Sequence, residues 1–177
     1  AYMLARAKAA GVPVAALVGS ARHARAQVEA GVDILVAAGT EAGGHCGEIG
    51  TMVLVPDVVE AVRQMGTSTP VLAAGGIVTG RQMAAAVAMG AEGAWTGSVW
   101  LTTPEAETSP VVKQKMLDAA ATGTIRSKSR TGKFCRQLRS AWTDAWEADD
   151  APTPLPMPMQ SIVSDTAMSK VLKLANG

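Results

Sequence analysis

The chain has 177 residues, of which 48% are hydrophobic and only 3% aromatic, and its formal net charge is +1. That charge argues against a nucleic-acid binder, because such proteins concentrate basic residues over one face. No apolar run reaches the roughly 18 residues of a membrane span. The two cysteines lack the spacing of a zinc site, so we predict no metal centre. Residues 1–6 lack a signal-peptide layout, and the expected location is the cytoplasm.

Short apolar runs alternate with helical patterns along the first hundred residues. Runs without alternation, bounded by glycine or proline, predict strands that are buried on both faces. The predicted strands are 14–18, 33–37, 71–74 and 93–99, and the predicted helices are 21–30, 57–65 and 81–89. Each helix precedes a glycine, Pro56 and Asp57 open the second, and Thr79 caps the third. The alternation predicts an α/β fold with a parallel sheet.

The character of the chain changes after Leu101. The sequence predicts a helix near 111–121, a basic polar segment at 126–133, an amphipathic stretch at 138–147, and a closing helix at 161–174. Four prolines between Pro152 and Pro158 predict an extended segment before that helix. We therefore divide the chain into residues 1–101, built from βα units, and a C-terminal extension, residues 102–177.

The loop after the second predicted strand carries the strongest chemical signal. Residues 39–47 read GTEAGGHCG, and four glycines in nine residues let the backbone approach a ligand closely. Active sites of barrel enzymes lie at such strand ends. His45 is the ionisable group there that titrates near neutrality, so it is the candidate proton carrier. Glu41 is expected to bond loop amides rather than to react, and Cys46 lacks an evident activating partner.

Two further turns predict a phosphate site. Residues 73–77 read AAGGI and end one strand just before a helix, and residues 95–98 read WTGS within or at the end of the next strand. The amides of Gly76 and Gly97, together with the Ser98 hydroxyl, are suited to a phosphate dianion. Phosphate sites in barrels frequently use the loops after strands seven and eight. Taken singly, each turn is equally typical of a tight strand-to-helix connection.

Together these motifs resemble the nitronate monooxygenase family, although FMN-dependent enoyl-thioester reductases share much of the pattern. The resemblance implies a (βα)8 barrel that binds FMN, with His45 beside the flavin ring. The residues that it places at the cofactor are Gly43, Gly44, Ala74, Gly75, Gly76, Gly97 and Ser98. The family commonly has glutamine before the loop glycine, whereas this chain has Ala38. A complete barrel needs about 250 residues, so we expect the C-terminal half of a TIM barrel, strands five to eight, plus the extension.

Three functions follow from the resemblance. The leading hypothesis is oxidation of alkyl nitronates with O2, with His45 as the base. The second is an NAD(P)H-dependent reaction on acyl-CoA or enoyl thioesters. It draws on six cations between Arg126 and Arg139, which are suited to an anionic substrate arm or simply to a solvated surface. The third is an inactive half-barrel that acts as an oligomerising module or pairs with the missing N-terminal half. The expected partners are therefore small molecules, with a homo-oligomer left open.

Overall fold

The computed structural model describes the backbone of residues 2–176 and the side chains of residues 2–170. The chain forms two compact units. The sheet unit runs to Ala42 and continues from Cys46 to Thr96, and the hairpin unit comprises Gly43–His45 and the residues from Gly97 onward. None of the described helices is long and apolar enough to cross a membrane.

The strands and helices follow one another along the chain in the following order. The strands are β1 (Ala15–Val18), β2 (Ile34–Ala38), β3 (Gly44–His45), β4 (Val71–Ala74), β5 (Gly93–Ala94), β6 (Thr124–Ser127) and β7 (Cys135–Leu138). The α-helices are α1 (Tyr2–Ala9), α2 (Ala21–Ala30), α3 (Thr51–Gln64), α4 (Gly80–Ala88), α5 (Pro110–Asp118), α6 (Ala141–Trp146) and α7 (Met159–Asn176). Single 3-10 turns span Ser98–Thr102 and Ala121–Gly123.

The sheet unit is built on an open, parallel four-stranded sheet in the order β1-β2-β4-β5. Its core joins Leu35 of β2 and Val71 of β4 to Leu54 and Val58 of α3. Burying one such aliphatic side chain stabilises the fold by about 1.5–3 kcal/mol. The predicted α/β class with a parallel sheet is therefore confirmed, because the central strands are apolar on both faces and helices supply the covering layer.

Helix α3 begins earlier than the sequence predicts. It starts at Thr51, so Pro56 is an interior residue rather than the opening one. A proline there has no N–H to donate to the carbonyl of Met52. Leu54 and Val55 are both fully buried. Their burial, which continues at the helical spacing of Val58, offsets that missing bond.

The last strand of the sheet is much shorter than the predicted 93–99. Only Gly93 and Ala94 pair with β4, followed by one further bond from the Trp95 amide to the carbonyl of Ala73, at 2.8 Å. Beyond Ala74 the neighbouring chain turns away at Gly75, whose φ is +116°. With no partner strand left, the segment after Gly97 forms a 3-10 turn instead.

The hairpin unit contains an antiparallel sheet that the sequence did not predict. Its order is β3-β7-β6, and β3 is the two-residue segment that carries His45. Strands β6 and β7 read TIRS and CRQL, which lack the apolar run that marks a buried strand. The predicted extended proline segment and closing helix are present, with the helix beginning at Met159. In α6 the rings of Trp142 and Trp146 lie 5.8 Å apart, on the shared face that their spacing predicts.

Candidate active site

A carboxylate fixes the first half of the glycine-rich loop in the sheet unit. Glu41 Oε2 accepts a hydrogen bond from the amide of Thr51 at 2.9 Å and from the Thr51 hydroxyl at 2.8 Å. The Gly39 amide donates to the carbonyl of Ala74 at 3.0 Å. As expected, Glu41 bonds an amide, and this one belongs to the first turn of α3, where a negative charge is favoured.

The hydrogen bonds at Glu41 alter its acidity. Partial burial opposes ionisation, but the two donors of Thr51 and the hydroxyl of Thr40 hold the pKa of Glu41 below its ordinary value. The carboxylate is therefore charged at neutral pH. A charged acceptor makes stronger hydrogen bonds than a neutral one, and this stiffens the loop against the start of α3.

The Gly75-Gly76 turn lies against this loop and requires glycine at both positions. Their φ angles are +116° and +69°, in the region that side chains rarely adopt. A Cβ on Gly75 would lie 2.6 Å from the Thr51 hydroxyl, and one on Gly76 would lie 3.2 Å from the Cβ of Glu41. Neither glycine amide donates a hydrogen bond to another described residue. The turn thus presents backbone donors at the end of β4, just after the buried Ala74.

The hairpin unit holds the second half of the loop and the second predicted turn. A Cβ on Gly43 would lie 2.7 Å from the Ser98 hydroxyl, so Ser98 lies close to the loop backbone. Around Gly44 and Gly97 a Cβ would meet nothing within 4 Å. The open space beside Gly97 and the exposed Ser98 hydroxyl leave room for a ligand.

His45 is held by a strand pair and by one side-chain hydrogen bond. It is exposed and pairs with Cys135 across the β3-β7 ladder. Its Nε2 lies 2.8 Å from the hydroxyl oxygen of Thr131, in the loop between β6 and β7. Sequence reasoning missed Thr131, because its 86-residue separation from His45 becomes a contact only through the unpredicted sheet.

Positive charge gathers around one aromatic ring of the same hairpin. The guanidinium carbon of Arg126 lies 4.0 Å from the ring centroid of Phe134, and Nζ of Lys128 lies 4.7 Å from it. Both distances are within the range of a cation–π contact. Arg136, which pairs with Arg126 across the ladder, adds a third cation. Part of the predicted basic segment is therefore an ordered cluster rather than a disordered tail.

The predicted site residues thus fall into two local groups. Ala74, Gly75 and Gly76 lie together in the sheet unit, beside Glu41 and Thr51. Gly43, Gly44, His45, Gly97 and Ser98 belong to the hairpin unit. Thr51 was the other omission, and its position directly after Gly50 at the start of a buried helical pattern was the available signal.

Comparison with known proteins identifies the family. A model of the nitronate monooxygenase family matches residues 1–175. The chain belongs to the nitronate monooxygenase family. Nitronate monooxygenases are oxidoreductases, so the family assignment agrees with the predicted enzyme class. The assignment of individual residues to cofactor and catalysis stays a prediction.

Individual members of the family match the chain over most of its length. A Mycobacterium tuberculosis protein named "Putative monooxygenase Rv1533" is 64% identical over 87% of this chain and 40% of its own length. A hydroxy-methyl-oxo-octahydro-indene-carboxyl-CoA dehydrogenase of the same organism is 38% identical over 82% of this chain and 41% of its own. The chain therefore spans about two fifths of the length of these curated relatives.

The fold of the family is matched by a solved structure. Nitroalkane oxidase from Streptomyces ansochromogenes superposes with a TM-score of 0.84 at 28% identity, over 98% of this chain and 51% of that one. This supports the fold class, a barrel-type arrangement of βα units, while the four-stranded sheet in this chain remains open.

Proposed function

We propose that this chain carries the catalytic histidine and the phosphate-binding turns of an FMN-dependent oxidoreductase that oxidises small alkyl nitronates with O2. The observation that carries the proposal is the ordered glycine-histidine loop. Its two ends are fixed separately, by Glu41 at Thr51 and by His45 at Thr131. A loop fixed in this way can hold a proton acceptor in one place while small glycines leave space for a substrate.

The residues present fit an FMN phosphate. Gly75 and Gly76 offer amides without a protein acceptor among the described residues, and Gly97 and Ser98 offer open space and a hydroxyl. Backbone amides and hydroxyls are the donors that phosphate groups use in glycine-rich turns. When bound, FMN would supply the electron chemistry between the substrate carbon and oxygen. Ala38 removes one polar contact that relatives commonly have at the loop.

His45 has the proton-transfer role in this proposal. An imidazole can accept a proton at neutral pH without a metal or a second base. Its exposure leaves the ring reachable by a small substrate, and its strand pairing restricts the backbone. The glycines on its N-terminal side, Gly43 and Gly44, keep bulky side chains away from the same space.

Action on an acyl-CoA or enoyl thioester with NAD(P)H is the second candidate. The cations around Phe134 favour it, because a coenzyme A arm brings phosphates that Arg and Lys bind well. The 38% identical relative is named a CoA dehydrogenase, which supports the same substrate class for this chain. Nitronate oxidation stays first because it needs only the loop and turns already described.

One set of assays tests both candidates. We expect His45→Ala to keep its flavin, since the predicted phosphate contacts are elsewhere, and to lose about 100-fold or more in kcat, the usual effect of removing a general base. The wild type and the variant are assayed with alkyl nitronates in air and with acyl-CoA thioesters plus NADH. His23→Ala, an exposed histidine on α2, is the matched control. Unchanged kcat in His45→Ala would remove the histidine from the mechanism, and thioester turnover alone would reverse the order of the candidates.

A further inference from the structure

Thr131 makes three polar contacts through a single hydroxyl. Its oxygen lies 2.8 Å from His45 Nε2, 3.3 Å from the amide of Lys133, and 3.3 Å from the carbonyl oxygen of Lys133. The amide is always a donor and the carbonyl always an acceptor. A hydroxyl has one proton and two lone pairs, so the role of each contact can be assigned.

One proton arrangement satisfies all three contacts at once. Thr131 donates its proton to the Lys133 carbonyl and accepts from the Lys133 amide, which leaves one lone pair for His45. That lone pair accepts an N–H from Nε2. If Thr131 instead donated to Nε2, the Lys133 carbonyl contact would not be a hydrogen bond. The complete arrangement therefore places the imidazole proton on Nε2 and leaves the lone pair of a neutral ring on Nδ1.

The loop that carries Thr131 is held rigidly by the C-terminal segment. Gln160 is fully buried and donates to the carbonyl of Ser129 at 2.7 Å, while its side-chain oxygen accepts from the amide of Leu155. The Ser164 hydroxyl, also buried, donates to the carbonyl of Arg130 at 2.6 Å. The backbone on the N-terminal side of Thr131 is thus bonded at two consecutive residues.

Gly132, on the other side of Thr131, is packed equally closely. Its φ is +81°, its amide donates to the carbonyl of Lys128 at 2.9 Å, and a Cβ there would lie 2.7 Å from the amide nitrogen of Met157. A turn this constrained cannot rotate the Thr131 side chain by moving its backbone. Its only freedom is χ1, which the Lys133 contacts restrict.

We propose that Thr131 is a positioning residue that fixes His45 with its proton on Nε2 and presents Nδ1 as the proton acceptor. The inference rests on the proposed catalytic role of His45. It extends that role by naming the nitrogen that works and the residue that selects it. A partner that fixes the tautomer of a catalytic histidine is a recurring requirement of general-base catalysis.

The test combines a spectroscopic measurement with kinetics. The chain has only two histidines, so imidazole ¹⁵N NMR of the protein resolves His45 from the exposed His23 as internal reference. We expect a protonated Nε2 and an unprotonated Nδ1 for His45 above its titration range, a tautomer mixture in Thr131→Val, and recovery in Thr131→Ser. In the flavin-loaded protein, Thr131→Val should lower kcat by about tenfold, the effect of one lost hydrogen bond, with Thr131→Ser near the wild type.

Failure of this inference is distinguishable from failure of the proposed function. If His45→Ala lowers turnover but Thr131→Val changes neither the tautomer nor kcat, Thr131 has no positioning role and the proposed function stands. If His45→Ala retains full turnover, the proposed function itself fails. A wild-type spectrum with the proton on Nδ1 overturns the assignment without any variant, so the test remains decisive even if Thr131→Val does not fold.

Discussion

At the residue scale, the contacts of Glu41 explain why an acidic side chain stands in a loop otherwise made of small residues. The carboxylate bridges the loop to the first turn of α3 through both donors of Thr51. A Cβ on Gly39 would overlap the same threonine, so loop and helix are in close contact. The negative charge thus has a structural role, which agrees with its predicted exclusion from catalysis.

This role makes stability depend on pH through Glu41. The pKa of Glu41 is lowered in the folded protein from an ordinary value of 4.5. A lowered folded pKa stabilises the fold above the ordinary pKa, and this stabilisation is lost as the pH falls through the folded pKa. We expect Glu41→Gln to be less stable than the wild type by about 1 kcal/mol at neutral pH, since a neutral amide is the weaker acceptor. The gap should close near about pH 3.

Urea unfolding at both pH values measures that gap. The matched control is Glu29→Gln, because Glu29 is an exposed carboxylate on α2 outside this network. The control should change stability little at either pH. An equal loss for Glu41→Gln at both pH values would show that the side chain acts through its shape and not through its charge.

At the scale of elements, the hairpin loop depends on a helix distant in sequence. Gln160 of α7 bridges the carbonyl of Ser129 to the amide of Leu155 with no exposed surface. Replacing it with leucine would leave both backbone groups buried without a partner. Each such group costs about 1–3 kcal/mol. We expect Gln160→Leu to lose about 3 kcal/mol of stability by chemical denaturation.

An exposed glutamine provides the control for that substitution. Gln114 of α5 bonds only Asp118 on its own helix, at 2.8 Å. Gln114→Leu should therefore stay within about 0.5 kcal/mol of the wild type. Similar stabilities for the two leucine variants would mean that water replaces the amide of Gln160, and the loop would then be less constrained than its contacts indicate.

The elements that could be predicted from the sequence are those whose burial is apolar and local. Strands β1, β2 and β4 stand out as short aliphatic runs, and the capping threonine of α4 was recognised from its side chain. The start of α3 could not be placed, because a proline outweighs burial in a sequence pattern. Strands β3, β6 and β7 could not be found, since their pairing depends on polar contacts between distant segments.

At the scale of the whole molecule, the predicted cofactor residues belong to two units, and each unit can be tested separately. Gly76 has a φ of +69° at the end of the parallel sheet, whereas Gly97 has a φ of −129°, which alanine tolerates. The sequence located both glycines without predicting this difference. It also determines how each substitution is controlled.

The last prediction concerns FMN itself. A methyl group at either glycine would occupy the space proposed for the phosphate, so Gly76→Ala and Gly97→Ala should each weaken FMN binding by about tenfold or more, the loss of one good phosphate contact. Riboflavin has the same ring system and no phosphate, so its affinity should change little. Titration monitored by flavin fluorescence measures both affinities. Gly66→Ala controls for backbone strain at Gly76, because Gly66 has a φ of +67° with nothing within 4 Å of a Cβ. A protein that takes up neither flavin would favour the oligomerising module, and equal losses for FMN and riboflavin would place the phosphate elsewhere.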